Sequence, residues 1–316
     1  MAEEDAADVK YEEEFIINRR GLKLFTCRWL PRNQEPKGLV FLCHGYAAEC
    51  SISMRDTGSR LAQAGMAVYG ADYEGHGKTS GLHGYVPSFD GVVGDCCDFF
   101  TSVAERKENQ NKKKFLLGES MGGAVALLVH RRQPSFWDGA VLVAPMCKIA
   151  DEMKPNPLVA NALIMLTKFF PTWKVVPGKD VIDASFKESK RREEIRNNPY
   201  FYKGRPRLKT ALELLIVSEK IEKSLHEVSL PFLIVQGEED RVVDPKVCKL
   251  LFDSASSLDK TLNLYPGMWH GLTSGEPPEN IDLVFADIVS WLDQRIKQGT
   301  TECERKSGHD VRALSS

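Results

Sequence analysis

The stretch Lys113-Lys114-Phe115-Leu116-Leu117-Gly118-Glu119-Ser120-Met121-Gly122-Gly123-Ala124-Val125-Ala126-Leu127-Leu128 reads as a short buried strand, a sharp turn and a helix. Ser120 sits at the tip of that turn. Gly118 and Gly122, two positions to either side, let strand and helix pass close together, so the turn is strained and lifts the serine hydroxyl clear of its own backbone. Met121 opens the helix, and its amide lies where a developing oxyanion would be held. A G-x-S-x-G pattern alone arises by chance in long chains. The strand before it and the helix after it give it meaning.

Outward from the turn, the apolar runs at 38–43, 66–71, 139–144 and 231–236 read as strands buried on both faces, and 260–265 as the last strand. Phe15 to Leu30 suggests two more, paired antiparallel at the sheet edge around Arg20-Gly21. Eight strands result. Helical stretches at 55–64, 90–106, 121 onward and 281–296 alternate with them, which implies a mostly parallel sheet with right-handed crossovers. The alternation breaks at 146–229, a proline-bearing helical region expected to be an insertion on the sheet. Within it, 158–170 is too apolar for a fully exposed helix, so it packs as a cap, lines an acyl tunnel or touches lipid. The expected organisation is a flexible acidic start (1–14), a core (15–145 and 230–296), a helical cap (146–229) and a polar disordered tail (297–316).

A serine hydroxyl is a poor nucleophile until a neutral imidazole takes its proton, and the imidazolium needs a fixed carboxylate at its other nitrogen. Four acids follow the strand at 231–236. Asp244, with Pro245 behind it, reads as a helix N-cap, and Glu238 and Glu239 as solvated, which leaves Asp240 at the loop tip as the orienting acid. His270 lies in a small-residue loop after the last strand, where catalytic groups concentrate. His44 and His76 read as structural histidines bracing glycine-rich loops. Ser120, Asp240 and His270 each fall just beyond a strand end, and their chemistry is attack on an ester carbonyl, an acyl-enzyme and its hydrolysis by water.

With 42% hydrophobic and 27% charged residues and a net charge of −2, the 316-residue chain has no basic stripe for nucleic acid and no charge to steer it to an anionic surface. No apolar run is long enough to span a bilayer, and the acidic start is unlike a secretory signal, so a cytoplasmic protein is expected. Eight cysteines without CxxC pairs or zinc spacing read as buried reduced thiols, Cys43 near the reaction centre among them. No metal cluster, phosphate loop or nucleotide fingerprint is present, so no cofactor is implied.

From about residue 9 to 296 the chain resembles the plant monoacylglycerol lipase-like group of α/β-hydrolases, which includes caffeoylshikimate esterases. The resemblance rests on His44-Gly45-Tyr46, Asp72-Tyr73-Glu74-Gly75-His76-Gly77, Gly118-Glu119-Ser120-Met121-Gly122-Gly123, Ala144-Pro145-Met146, Pro206-Arg207-Leu208-Lys209-Thr210 and Tyr265-Pro266-Gly267-Met268-Trp269-His270. It implies an α/β-hydrolase fold with helices on both faces, a Ser120, Asp240 and His270 triad, and an oxyanion hole whose second amide is that of Tyr46 beside Met121. It also implies hydrolysis of monoacylglycerols, with lysophospholipids or caffeoylshikimate-type esters as alternatives. The cap would meet membrane surfaces transiently, at the endoplasmic reticulum or plasma membrane. Ala47 departs from the glycine often found there. Some α/β-hydrolase folds are small-molecule receptors, but binding alone does not need an intact triad.

Overall fold

A computed structural model describes residues 8–148, 164–175 and 180–312. Its strands are β1 (Val9–Ile17), β2 (Lys23–Pro31), β3 (Gly38–Cys43), β4 (Met66–Ala71), β5 (Lys113–Glu119), β6 (Gly139–Val143), β7 (Phe232–Gly237) and β8 (Lys260–Tyr265). They form one sheet in the order β1-β2-β4-β3-β5-β6-β7-β8, with β1 and β2 antiparallel to their neighbours and the rest parallel. Every residue of β3, β4, β6 and β7 is buried, as expected of a parallel sheet covered on both sides.

The helices are α1 (Arg55–Gln63), α2 (Phe89–Ala104), α3 (Met121–Arg132), α4 (Val181–Ser185), α5 (Ser189–Asn197), α6 (Leu208–Glu222), α7 (Pro245–Ser254) and α8 (Pro278–Arg312). On one face α2, α3, α6 and α7 close over a core that includes Phe41, Phe100 and Trp137, the latter two rings 5.0 and 5.5 Å from the first. On the other, α1 and α8 cover Trp29 and Phe115, with Ile288 and Trp291 contributed by α8 itself. Burying each such apolar side chain contributes about 1.5–3 kcal/mol.

The chain steps outward from β3 to β4 and then returns to β5 on the other side of β3. The loops that leave β3 and β5 therefore part and open a crevice at the carboxyl edge of the sheet. Ser120 follows β5, Asp240 follows β7 and His270 follows β8, so the topology brings all three to that edge.

Two boundaries differ from expectation. The acidic start does not stay loose to residue 14, because β1 begins at Val9 and pairs with β2 along its whole length. Two of its charges are met from elsewhere in the chain, Glu12 by Arg28 and Glu13 by Lys78, while Tyr11 packs on Trp29 at 5.1 Å. The closing helix, expected to stop at 296, runs to Arg312. Residues 297–312 hold no proline, the one residue type that forbids a helix interior outright.

Between β6 and β7 the described residues are helical or irregular, with no strand. Residues 149–163, which include the start of the apolar 158–170 run, lie outside the described residues. The remainder is helical at 164–169, and Met165, Phe169 and Trp173 are exposed. Asp244 caps α7 as its sequence suggests, its side chain accepting from the Lys246 N–H at 2.9 Å ahead of Pro245.

Candidate active site

Ser120 takes φ 54 and ψ −117, the mirror image of ordinary extended backbone and costly for an L residue. It is pinned there. Its N–H donates to the Val143 carbonyl, and its own carbonyl accepts from Gly123 and Met146, all at 2.9 Å. A Cβ at Gly122 would lie 1.9 Å from the Cys43 carbonyl oxygen, so α3 can sit on the end of β3 only with glycine at that position. Among the described residues the non-glycine positive φ angles fall at Ala47, Ser120 and Ala144, all past the carboxyl ends of β3, β5 and β6. Strain thus gathers at one edge, as it does at functional sites.

His270 Nδ1 lies 2.7 Å from Asp240 Oδ2. An ionised carboxylate only accepts, so Nδ1 carries the proton and Nε2 is left as the basic nitrogen. Burial works to raise the Asp240 pKa, but the hydrogen bond and charge of His270, with the Val243 and Val242 amides, outweigh it and hold the group below the usual carboxylate value. The cavity that Ser120 and His270 share has a volume of about 80 Å³ and is walled by Tyr46, Met54, Phe186 and Arg191 among others. The His270 loop is braced by the Gly271 N–H, which donates to Ser185, and by Thr273, which donates to Glu119 at 2.9 Å.

Tyr46 lines this cavity. Met121 is the first residue of α3, so its N–H is one of those a helix start leaves without an intrahelical partner. The loop after β3 is organised by Glu49, fully buried, which accepts from Ser51, Ile52 and Ser53 and from Asn198 at 3.0 Å. Burial pushes the Glu49 pKa up, yet these donors more than offset it and keep the carboxyl below its usual range. Nearby Asp72 is pushed up to about 7, first by burial and then by the charge of Glu49. The Tyr202 N–H donates to the Ala47 carbonyl at 2.8 Å, so the segment after α5 is tied to the same loop.

Both nitrogens of His44 are used, Nδ1 toward the Gly45 carbonyl at 2.8 Å and Nε2 accepting from the Tyr73 N–H at 3.1 Å. Burial drops its pKa to about 4 and that of His76 to about 3, so both stay neutral braces. Cys43 is buried behind the elbow, its thiol pKa pushed up by burial. Among the described residues no group of His, Cys, Asp and Glu converges as metal ligands.

Sequence reasoning missed Gln236, Arg191, Glu49 and Glu119. Gln236 did carry a signal, a polar residue closing an apolar strand buried on both faces. Arg191, one of many charges in α5, carried none.

A strained serine after the central strand, with an acid and a histidine beyond later strands of a mostly parallel sheet, makes this an enzyme of the α/β-hydrolase class. Residues 34–278 match the family described as "Serine aminopeptidase, S33", and the chain belongs to that family. Within it the chain is monoacylglycerol lipase-like. A caffeoylshikimate esterase of Arabidopsis thaliana is 35% identical over 277 residues, 87% of this chain and 83% of its own. A monoglyceride lipase of Homo sapiens is 32% identical over 282 residues, 89% of this chain and 90% of its own. Among solved structures, a soluble variant of monoglyceride lipase from Saccharomyces cerevisiae, in complex with a substrate analog, shares the fold with a TM-score of 0.78 at 23% identity, covering 90% of this chain and 94% of that one.

Proposed function

We propose that the protein is a serine carboxylic ester hydrolase that cleaves monoacylglycerols to free fatty acid and glycerol. One observation carries the reading: Ser120, held in a strained turn, opens onto the cavity lined by His270, whose other nitrogen is bonded to Asp240. Ser120 Oγ attacks the ester carbonyl, His270 takes its proton and returns it to the leaving alcohol, and Asp240 orients the imidazole and stabilises its charge. The amides of Tyr46 and Met121 receive the oxyanion, and water then releases the acyl group. Relatives named as monoglyceride lipases support the substrate.

Residues 146–229 act as a cap. Exposed Met165, Phe169 and Trp173, flanked by Lys168 and Lys174, suit a transient stay at a membrane interface, where aromatic rings and basic side chains favour the boundary. No helix among the described residues is long and apolar enough to span a bilayer. Buried, unpaired thiols support a cytoplasmic setting.

A second reading, hydrolysis of a hydroxycinnamoyl ester of an acidic alcohol, is favoured by Arg191, a basic residue among those that line the same cavity, and by the 35% identical esterase. Purified protein assayed side by side on monoacylglycerol, lysophosphatidylcholine and caffeoylshikimate decides between them. Monoacylglycerol should turn over fastest, and Ser120→Ala should lose about 10⁴-fold or more on every substrate. Full activity in Ser120→Ala would refute the mechanism, and preference for caffeoylshikimate would select the second reading.

A further inference from the structure

We propose that Gln236 is a positioning residue for this reaction: its carboxamide holds the Asp240 carboxylate in the orientation that His270 needs, and the Cys248 thiol fixes which way the carboxamide points. The proposal rests on the reading of Ser120, His270 and Asp240 given above.

Gln236 is fully buried near the end of β7, where its neighbours in the strand are apolar. A buried amide left unpaired is strongly unfavourable, so its partners reveal what it does. Nε2 lies 2.9 Å from Asp240 Oδ2 and 3.0 Å from the Gly237 carbonyl oxygen. Both of those atoms only accept, and a single NH₂ satisfies both, which settles the orientation of the amide. Oε1 must then face the other way, where Cys248 Sγ stands 3.0 Å off. An amide oxygen cannot donate, so the thiol does. Cys248 is kept protonated for that task by its contact with Cys147 and then by burial, which together hold its pKa well above the usual thiol value.

The Asp240 carboxylate is consequently gripped at both oxygens. Oδ1 accepts from the Val242 and Val243 amides at 2.7 and 2.9 Å, and Oδ2 accepts from His270 and Gln236. The terminal torsion of an aspartate is broad, so only hydrogen bonds fix the plane of its carboxylate. Without Gln236, Oδ2 is tied to His270 alone. The carboxylate and imidazole can then turn together away from the serine, and a misplacement of about 1 Å costs on the order of 100-fold in rate.

The test compares Gln236→Met, which keeps length but removes the amide, with Cys248→Ala and Cys248→Ser. For each, kcat and KM are measured on a monoacylglycerol and on a soluble p-nitrophenyl ester, the thermal midpoint is recorded, and the downfield NMR proton of the His270 Nδ1–H is followed. Gln236→Met should lower kcat about 10- to 100-fold with KM within about twofold, and should shift or broaden that proton. In the Asp240→Asn background it should add little further loss. Cys248→Ala should lower kcat by less, and Cys248→Ser, which can still donate, should restore it. Wild-type kcat in Gln236→Met, or equal impairment of the two Cys248 variants, would overturn the proposal. Should Gln236→Met not fold, the Cys248 pair still decides, because the Cys248 thiol donates to Gln236 and not to Asp240. A wild-type protein no faster than Ser120→Ala would instead mean that the serine itself is misassigned.

Discussion

Ser120 is held in a backbone conformation that glycine adopts freely and serine does not. Two inactive variants separate that strain from chemistry. Ser120→Gly should be more stable than Ser120→Ala by about 1 kcal/mol, read as a shift in urea midpoint; equal midpoints would mean that the turn stores no strain. Gly122→Ala drives a Cβ into the Cys43 carbonyl, where backbone cannot yield like a side chain. It should cost about 1–3 kcal/mol and lower turnover as well. At this scale Ser120, Asp240 and His270 were legible because each follows a strand end in a loop of small or polar residues. Gln236 and Glu49 were not. Their meaning lies in partners brought near only by the fold, such as Asn198 for Glu49.

The two aspartates around α7 do different work four residues apart. Asp244→Ala removes a cap and should cost about 1 kcal/mol with kcat unchanged. Asp240→Asn should lower kcat on the order of 10⁴-fold and cost stability as well, because its NH₂ meets donors already aimed at the carboxylate. A matched loss of kcat in both variants would sink the distinction. The buried strands and α7 were readable because local pattern and tertiary role agree: apolar runs that bury both faces, and an Asp-Pro pair that starts a helix. The start of β1 was hidden because its acids look solvated until Arg28 and Lys78 arrive from elsewhere in the chain. The reach of α8 was hidden because a polar stretch with glycines at 299 and 308 offers no apolar period by which a helix is read.

For the whole molecule, buried titratable groups set the response to acid. His44, His76 and His130 have pKa values lowered by burial to about 4, 3 and 4, so they fold neutral and bind protons mainly when the chain unfolds. Their stabilisation is present above the ordinary histidine pKa and lost as pH falls from about 6.5 toward 4. Asp72, raised to about 7, and Glu119, raised by burial, act the other way, favouring the fold at low pH and losing that effect as pH rises through their folded values. Three imidazoles outnumber the two raised carboxylates, so the unfolded chain holds more protons than the fold near pH 5 and stability should fall as the solution is acidified there. His130→Gln should flatten that slope in denaturant midpoints measured from pH 6.5 to 4.5; an unchanged slope would show that other groups govern it. The ties from Asn198 to Glu49 and from Tyr202 to Ala47 carry a lesson for anyone recombining such proteins. A graft that borrows the 180–207 segment from a relative would have to bring residues 46–53 along, because the hydrogen bonds that seat the segment end on that loop.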